Sequence, residues 1–187
     1  MRTVRAFIAI PLTTRVQTLL GSVSQTWSEQ IPERSVRWVK PHLMHITLRF
    51  LGDTKVASLT TVADALDRIA VRKDAFTLRL DGPGCFPNNK RPRVIWVGLQ
   101  GQLDAARALK QEIDEALVPL GWEQENRSFQ PHLTIGRVKD SRKVRGFRWE
   151  ADVEPLPVPV QALHLIESEL LPTGPIYTVR HKAILHH

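Results

Sequence analysis

Apolar residues along this chain recur with two periods, and each switch of period marks a new element. Val4 to Ile10 is a short apolar run that reads as a buried first strand. Thr13 or Thr14 then caps a helix whose Val16, Leu19, Leu20, Val23 and Trp27 form one stripe, with Gly21 in its middle. Val36 to Val39 predicts a short strand and Met44 to Leu51 a longer one. Gly52-Asp53-Thr54 is expected to turn into a second helix, with Leu59, Val62, Ala63, Leu66, Ile69 and Ala70 inward. Ala75 to Asp81 and Arg93 to Leu99 read as strands flanking a Gly/Pro/Asn-rich rim, Gly82 to Pro92, that holds Lys90 and Arg91. A third helix buries Leu103, Ala106, Leu109, Ile113, Leu117 and Leu120. Phe129 to Val138, Phe147 to Val153, Val160 to Ser168 and Ile176 to Ile184 predict the remaining strands. Pro155, Pro157 and Pro159 divide the second from the third of these, and Leu171 to Pro175 turns into the last.

The order lacks strict strand–helix alternation, so it predicts an α+β fold of mostly antiparallel strands with helices to one side. No segment between the elements is rich enough in Gly, Ser or charge to act as a linker, and residues 1–187 read as a single domain.

Two of the strands break their own pattern. His45-Ile46-Thr47-Leu48 and His132-Leu133-Thr134-Ile135 each place His and Thr on one face of an otherwise apolar strand, because side chains alternate. Polar pairs on an apolar strand cost free energy unless that face is wet or occupied. Occurring twice, they predict a cleft. Two imidazoles across a cleft suit acid–base chemistry near neutral pH, one neutral and one protonated. Each Thr hydroxyl can donate to a phosphoryl oxygen. His42 mimics the motif in Pro41-His42-Leu43, but Met44 stands where Thr should, and its offset from His45 is odd; it is left out. His164 and His181 lack the Thr and read as structural, and Trp38 and Phe50, either of which could stack a base, are assigned to core packing.

Composition narrows the partner. The 187 residues carry 26 Lys+Arg against 19 Asp+Glu, a net charge of +7 and a pI near 10.1, which favours a polyanion. A single Cys85 excludes an intrachain disulfide and a multi-cysteine metal site. No apolar run spans a membrane, and Ala6 to Ile10 is too short for a secretory leader, so a reducing cytoplasm is expected. His186-His187 is given no role.

The paired motifs with their flanks, Arg37-Trp38-Val39, Phe50-Leu51-Gly52, Arg91-Pro92-Arg93-Val94-Ile95-Trp96 and Pro131-His132-Leu133-Thr134, resemble the two-histidine (2H) phosphoesterase superfamily. Its RNA 2′,3′-cyclic phosphodiesterase branch, also called 2′-5′ RNA ligases, is the nearest likeness, over about Arg5 to Leu185. The resemblance implies a bilobal, duplicated domain. In it, two mostly antiparallel sheets with outer helices form a central cleft lined by the two motif strands. It implies His45, Thr47, His132 and Thr134 as catalytic, with His45 the acid and His132 the base. The product would be a 2′-phosphate. It also implies that Arg137 binds phosphate, although Arg137 is five residues past His132, an odd offset. A bulge or strand end at Gly136 would be needed to bring it back. The partner is then RNA with a 2′,3′-cyclic phosphate end. No cofactor, no metal and no obligatory protein partner are expected, and the chain is expected to act as a monomer.

Other readings stay open at this level: ADP-ribose cyclic phosphate or a 2′-5′ oligonucleotide as substrate, a non-catalytic module gripping RNA ends, or a zinc hydrolase using His42, His45 and His132. The last lacks a nearby Asp, Glu or Cys ligand. ATP-dependent ligation is excluded. The nearest run to a K-x-D-G nucleophile is Arg79-Leu80-Asp81-Gly82, whose arginine stays protonated, and no phosphate-binding P-loop exists. Ligation could only be the ATP-independent reverse of phosphodiester opening, from a 2′,3′-cyclic phosphate end and a 5′-hydroxyl.

Overall fold

The apolar stripes of the sequence become three helices, and the computed structural model, which describes residues 2–186, gives their limits. Helix α1 spans Thr14–Ser28, and Thr13 is its cap, accepting from the Val16 amide at 3.4 Å. Helix α2 spans Ser58–Ala70 and α3 Leu103–Leu117. Met1 and His187 lie outside the described residues. Among the described residues no helix is long and apolar enough to cross a membrane.

The strands are β1 Thr3–Pro11, β2 Val36–Trp38, β3 His45–Lys55, β4 Phe76–Phe86, β5 Val94–Gly101, β6 His132–Val138, β7 Pro157–Val160, β8 Ala162–Leu171 and β9 Gly174–Ile184. They pair antiparallel in the order β7-β4-β5-β6-β3-β1-β8-β9, with β2 added beside β6. The expected two sheets are therefore joined into one nine-stranded sheet. The joint is thin, because β3 and β6 pair only at Ile46 and Leu133. Each motif strand is the innermost of four on its own side of this seam.

Ile46, Leu48, Leu133 and Ile135 belong to the same core as Leu20, Leu66 and Leu109 of the helices. The helices thus cover one face of the sheet, and the His/Thr pairs look out from the other. Each fully buried Leu or Ile in this layer contributes about 1.5–3 kcal/mol. A smaller cluster, Phe7, Ala9 and Ile166 with Tyr177 against it, lies on the cleft face.

Several expectations need correction. β3 does not turn at Gly52-Asp53-Thr54 but runs on to Lys55, because β1 offers partners as far as Thr3. Leu51 is bulged out between two register positions there, and Gly52 takes φ +69°, a left-handed conformation open to glycine. β4 extends through Gly82 to Phe86, nearly half of the supposed rim. β7 pairs with it only over Phe76 to Arg79, so Pro83 faces no ladder on that side, and a bulge between Leu80 and Pro83 absorbs the irregularity. Only 87–93 remains as the connection to β5.

Phe147 to Val153 is not a strand. Its alternating apolar residues pack on α1 instead: Trp149 meets Trp27 edge-on with ring centroids 5.5 Å apart, and Trp27 Nε1 donates to the Glu150 carbonyl at 3.2 Å. The proline-bearing Pro157–Val160 is the strand, tolerated because it lies at the sheet edge. Phe129 to Pro131 precedes β6 without joining the ladder.

Candidate active site

Each motif histidine opens its strand, held by the same local device. His45 Nδ1 lies 2.8 Å from the Leu43 carbonyl and His132 Nδ1 2.8 Å from the Gln130 carbonyl, two residues upstream in both cases. A carbonyl can only accept, so Nδ1 carries the proton and Nε2 is left to work. A 3₁₀ turn over Pro41–Leu43 presents the first of these carbonyls. The antiparallel pair Ile46–Leu133 sets His45 across from Thr134 and Thr47 across from His132. Each imidazole thereby faces the other motif's hydroxyl.

A shared irregularity follows. β6 pairs Trp96 with Thr134 and Ile95 with Gly136, so Ile135 is an extra, bulged residue. β3 pairs Ala9 with Thr47 and Ile8 with Arg49, so Leu48 is bulged in the same way. Beyond each bulge the alternation is inverted. Arg137 returns to the cleft face, as the site requires, through a bulge one residue before the position considered from sequence. Gly136 also makes room behind it: a side chain there would meet Val36 Cγ1 at 2.8 Å. By the same inversion Phe50, at the equivalent offset from His45, faces the cleft. It is 67% exposed, which corrects its assignment to the core.

His45, Thr47, Thr134 and Arg137 line one cavity of about 190 Å³, together with Arg37, Trp38, Lys40, Phe50 and Tyr177. His132 stands beside this cavity, on the β5 side, with its ring edge-on to Phe86 at 5.2 Å and 6.4 Å from Trp96. His45 sits deeper, stacked on Phe7 at 4.8 Å and edge-on to Tyr177 at 5.6 Å. Burial lowers the His45 pKa below the ordinary histidine value. The Leu43 hydrogen bond opposes this shift, and the Arg137 charge adds to it. Burial raises the Tyr177 hydroxyl pKa, against the pull of Arg137 and Arg37.

His42 is exposed on the 3₁₀ turn. His181 pins β9 to α2 through Asp67, with Nε2 2.7 Å from the carboxylate, and His164 lies on β8 across from Lys182. Among the described residues no three His, Cys, Asp or Glu side chains converge in a metal-holding group, so a zinc set built on His42, His45 and His132 finds no further ligand.

Three contributors were not read from sequence. Arg37 reaches the cleft because β2 pairs it directly with Arg137. Tyr177 arrives from β9, and no local motif marks it. Arg49, turned inward by the Leu48 bulge, is 8% exposed and binds Asp114 of α3 at 3.3 Å, Glu125 at 3.2 Å and the Glu123 carbonyl. Lys110 completes the group on Asp114 and on Glu125, the latter at 3.0 Å. Trp122 Nε1 donates to the Leu51 carbonyl at 3.0 Å. These bonds tie β3 to the segment that leads into His132.

Comparison with known proteins assigns the chain to a family. The model of the 2′-5′ RNA ligase superfamily matches residues 22–170, and the chain belongs to that family. A relative from Aeropyrum pernix, named RNA 2′,3′-cyclic phosphodiesterase, is 36% identical over 147 residues, covering 76% of this chain and 82% of its own. One of the same name from Methanothermobacter thermautotrophicus is 32% identical over 179 residues, covering 94% and 95%. A crystal structure from Thermus thermophilus superposes with a TM-score of 0.76 at 32% identity, over 97% of both chains. Escherichia coli LigT complexed with 3′-AMP has a TM-score of 0.77 at 24% identity over the full length of both, a likeness of fold.

Proposed function

We propose that this protein is an RNA 2′,3′-cyclic phosphodiesterase that opens the cyclic phosphate at an RNA end to a 2′-phosphate, without metal, by two-histidine acid–base catalysis. The observation that carries the reading is the matched pair of Nδ1-to-carbonyl bonds, which leave Nε2 of both rings free of protein partners among the described residues. One Nε2, unprotonated, takes a proton from water as its oxygen attacks phosphorus. The other, protonated, gives its proton to the ribose 3′-oxygen as the P–O3′ bond breaks. Thr47 and Thr134 donate to the non-bridging oxygens, and Arg137 balances their charge. Family likeness makes His45 the acid and His132 the base. With a 5′-hydroxyl in place of water as the nucleophile, the same steps join RNA through a 2′-5′ linkage without ATP.

The two four-strand halves, each led by a motif strand, support a duplicated, bilobal domain acting as one unit over residues 1–187, and we propose that it works as a monomer. The names of the relatives favour RNA ends over ADP-ribose cyclic phosphate, and the net charge of +7 supports a polyanionic substrate. The test is incubation with nucleoside 2′,3′-cyclic phosphates in EDTA, with the product isomer identified. Full turnover to the 2′-phosphate is expected. A 3′-phosphate product, or turnover that only zinc or manganese restores, overturns the reading.

A further inference from the structure

We infer that Arg37 and Lys40 form a second anion site beside the reaction centre, one that takes the internucleotide phosphate on the 5′ side of the terminal ribose. The inference rests on the reading above. A cyclic phosphate carries a single negative charge, and Thr47, Thr134 and Arg137 already answer it. The cavity nevertheless gathers three cations, Arg37, Lys40 and Arg137, and no Asp or Glu among the described residues lines it. Like charges directly opposite on neighbouring strands repel, yet β2 sets Arg37 straight across from Arg137. A solvated basic surface tolerates such a pair at little cost. What distinguishes this pair is the way it is held.

β2 is three residues long, and alternation sends Arg37 to the cleft and its two neighbours towards the core. Val36 is buried, and Trp38 packs against Trp27 and Trp149 with ring centroids 6.5 and 6.4 Å away. The Val39 amide then donates to the Ile135 carbonyl at 2.9 Å. The strand is thus pinned on both sides of the exposed residue it presents. Lys40, also exposed, follows at once, and its carbonyl accepts from the Leu43 amide at 2.8 Å to open the turn that holds His45. Both cations stand on backbone that the reaction centre itself depends on. Their place differs from that of Arg137. The Arg137 charge acts on both the His45 ring and the Tyr177 hydroxyl, whereas that of Arg37 acts on Tyr177. Arg37 is therefore a step further from the reacting phosphorus, on the Tyr177 side. In an RNA end the nearest other anion is one ribose away, the phosphodiester that joins the terminal nucleotide to the rest. A site that grips both phosphates fixes the terminal ribose between them.

The test uses adenosine 2′,3′-cyclic phosphate, the adenylyl dinucleotide ending in the same cyclic phosphate, and that dinucleotide with an uncharged methylphosphonate linkage. Wild type is assayed beside Arg37→Gln, Arg37→Lys and Lys40→Gln at low salt, with folding checked by thermal melts. In wild type kcat/KM should favour the charged dinucleotide over the neutral one about ten-fold, the scale of a hydrogen bond to a charged group. Arg37→Gln should lose most of that preference and Lys40→Gln part of it, while Arg37→Lys should retain some. Equal kcat/KM on the two dinucleotides in wild type overturns the inference, a result that needs no variant. An unchanged preference in Arg37→Gln overturns it too, as does an equal loss on all three substrates, which would assign the arginine to the reacting phosphate. A wild-type protein inactive on all three cyclic phosphates overturns the functional reading beneath it, and the inference with it.

Discussion

His45 and His132 share a backbone device but differ in surroundings, so they should separate experimentally. On an RNA cyclic phosphate, His45→Ala and His132→Ala should each lose roughly a hundred-fold or more in rate, the scale of acid–base catalysis. On a diester with a p-nitrophenolate leaving group, the variant lacking the acid should recover and the variant lacking the base should not. Recovery in His132→Ala would exchange the proposed roles, and recovery in neither would leave the histidines only positioning phosphate. Titration gives a second handle. Burial chiefly, and then the Arg137 charge, lowers the proton affinity of His45. If His45 is the acid, kcat/KM falls as pH rises through this lowered pKa, so the alkaline limb lies below the usual histidine value near 6.5. Arg137→Gln removes a like charge and should move that limb to higher pH, while a lost phosphate contact lowers the rate about ten- to a hundred-fold. Wild-type rates in this variant would remove Arg137 from the site.

At the scale of elements, Thr13, the inward faces of the helices and the outline of both motif strands were legible in the sequence, because each is set by neighbours two to four residues away. The bulges at Leu48 and Ile135 were not, because register depends on a partner strand: β1 for one, β5 for the other. Phe50 was misplaced for that reason, and Phe147 to Val153 alternates only because Trp149 meets Trp27. Arg49 joins these observations, since the bulge that turns Phe50 outward turns Arg49 into the core. Burial works to raise the Glu125 pKa, but hydrogen bonds and charge from Lys110 and Arg49 outweigh it and hold the carboxyl below its ordinary value. The carboxyl's contribution to stability is therefore present above its unfolded pKa and lost as pH falls through the folded one. Removing Arg49 leaves Asp114 with Lys110 alone, and Arg49→Leu should cost roughly 3–5 kcal/mol in chemical denaturation. A loss below about 1 kcal/mol would mean that water replaces the guanidinium.

For the whole molecule, charge distribution and sheet order decide how a long substrate is met. Between β6 and β7 run Lys139, Arg142, Lys143, Arg145 and Arg148, a basic stretch following the strand that carries Arg137. Arg142 is paired with Asp140 at 3.0 Å. An oligoribonucleotide ending in a cyclic phosphate should lose kcat/KM with added salt more steeply than a cyclic mononucleotide does. Lys143→Glu with Arg145→Glu should flatten that difference, with a slope change of about 0.7 per phosphate contact removed. Equal salt slopes for both substrates would confine recognition to the terminal nucleotide. The seam at Ile46 and Leu133 bears on a different property, the mechanics of the sheet. Nine strands in register would make a stiff plate, but a single residue pair between two four-strand halves makes a crease. The crease runs under the catalytic face, while on its other side Arg49 and Lys110 hold the halves like a strap across a hinge. Bending is then easiest along the one line that changes the gap between the two histidines, so the softest deformation of this molecule is the opening and closing of its cleft.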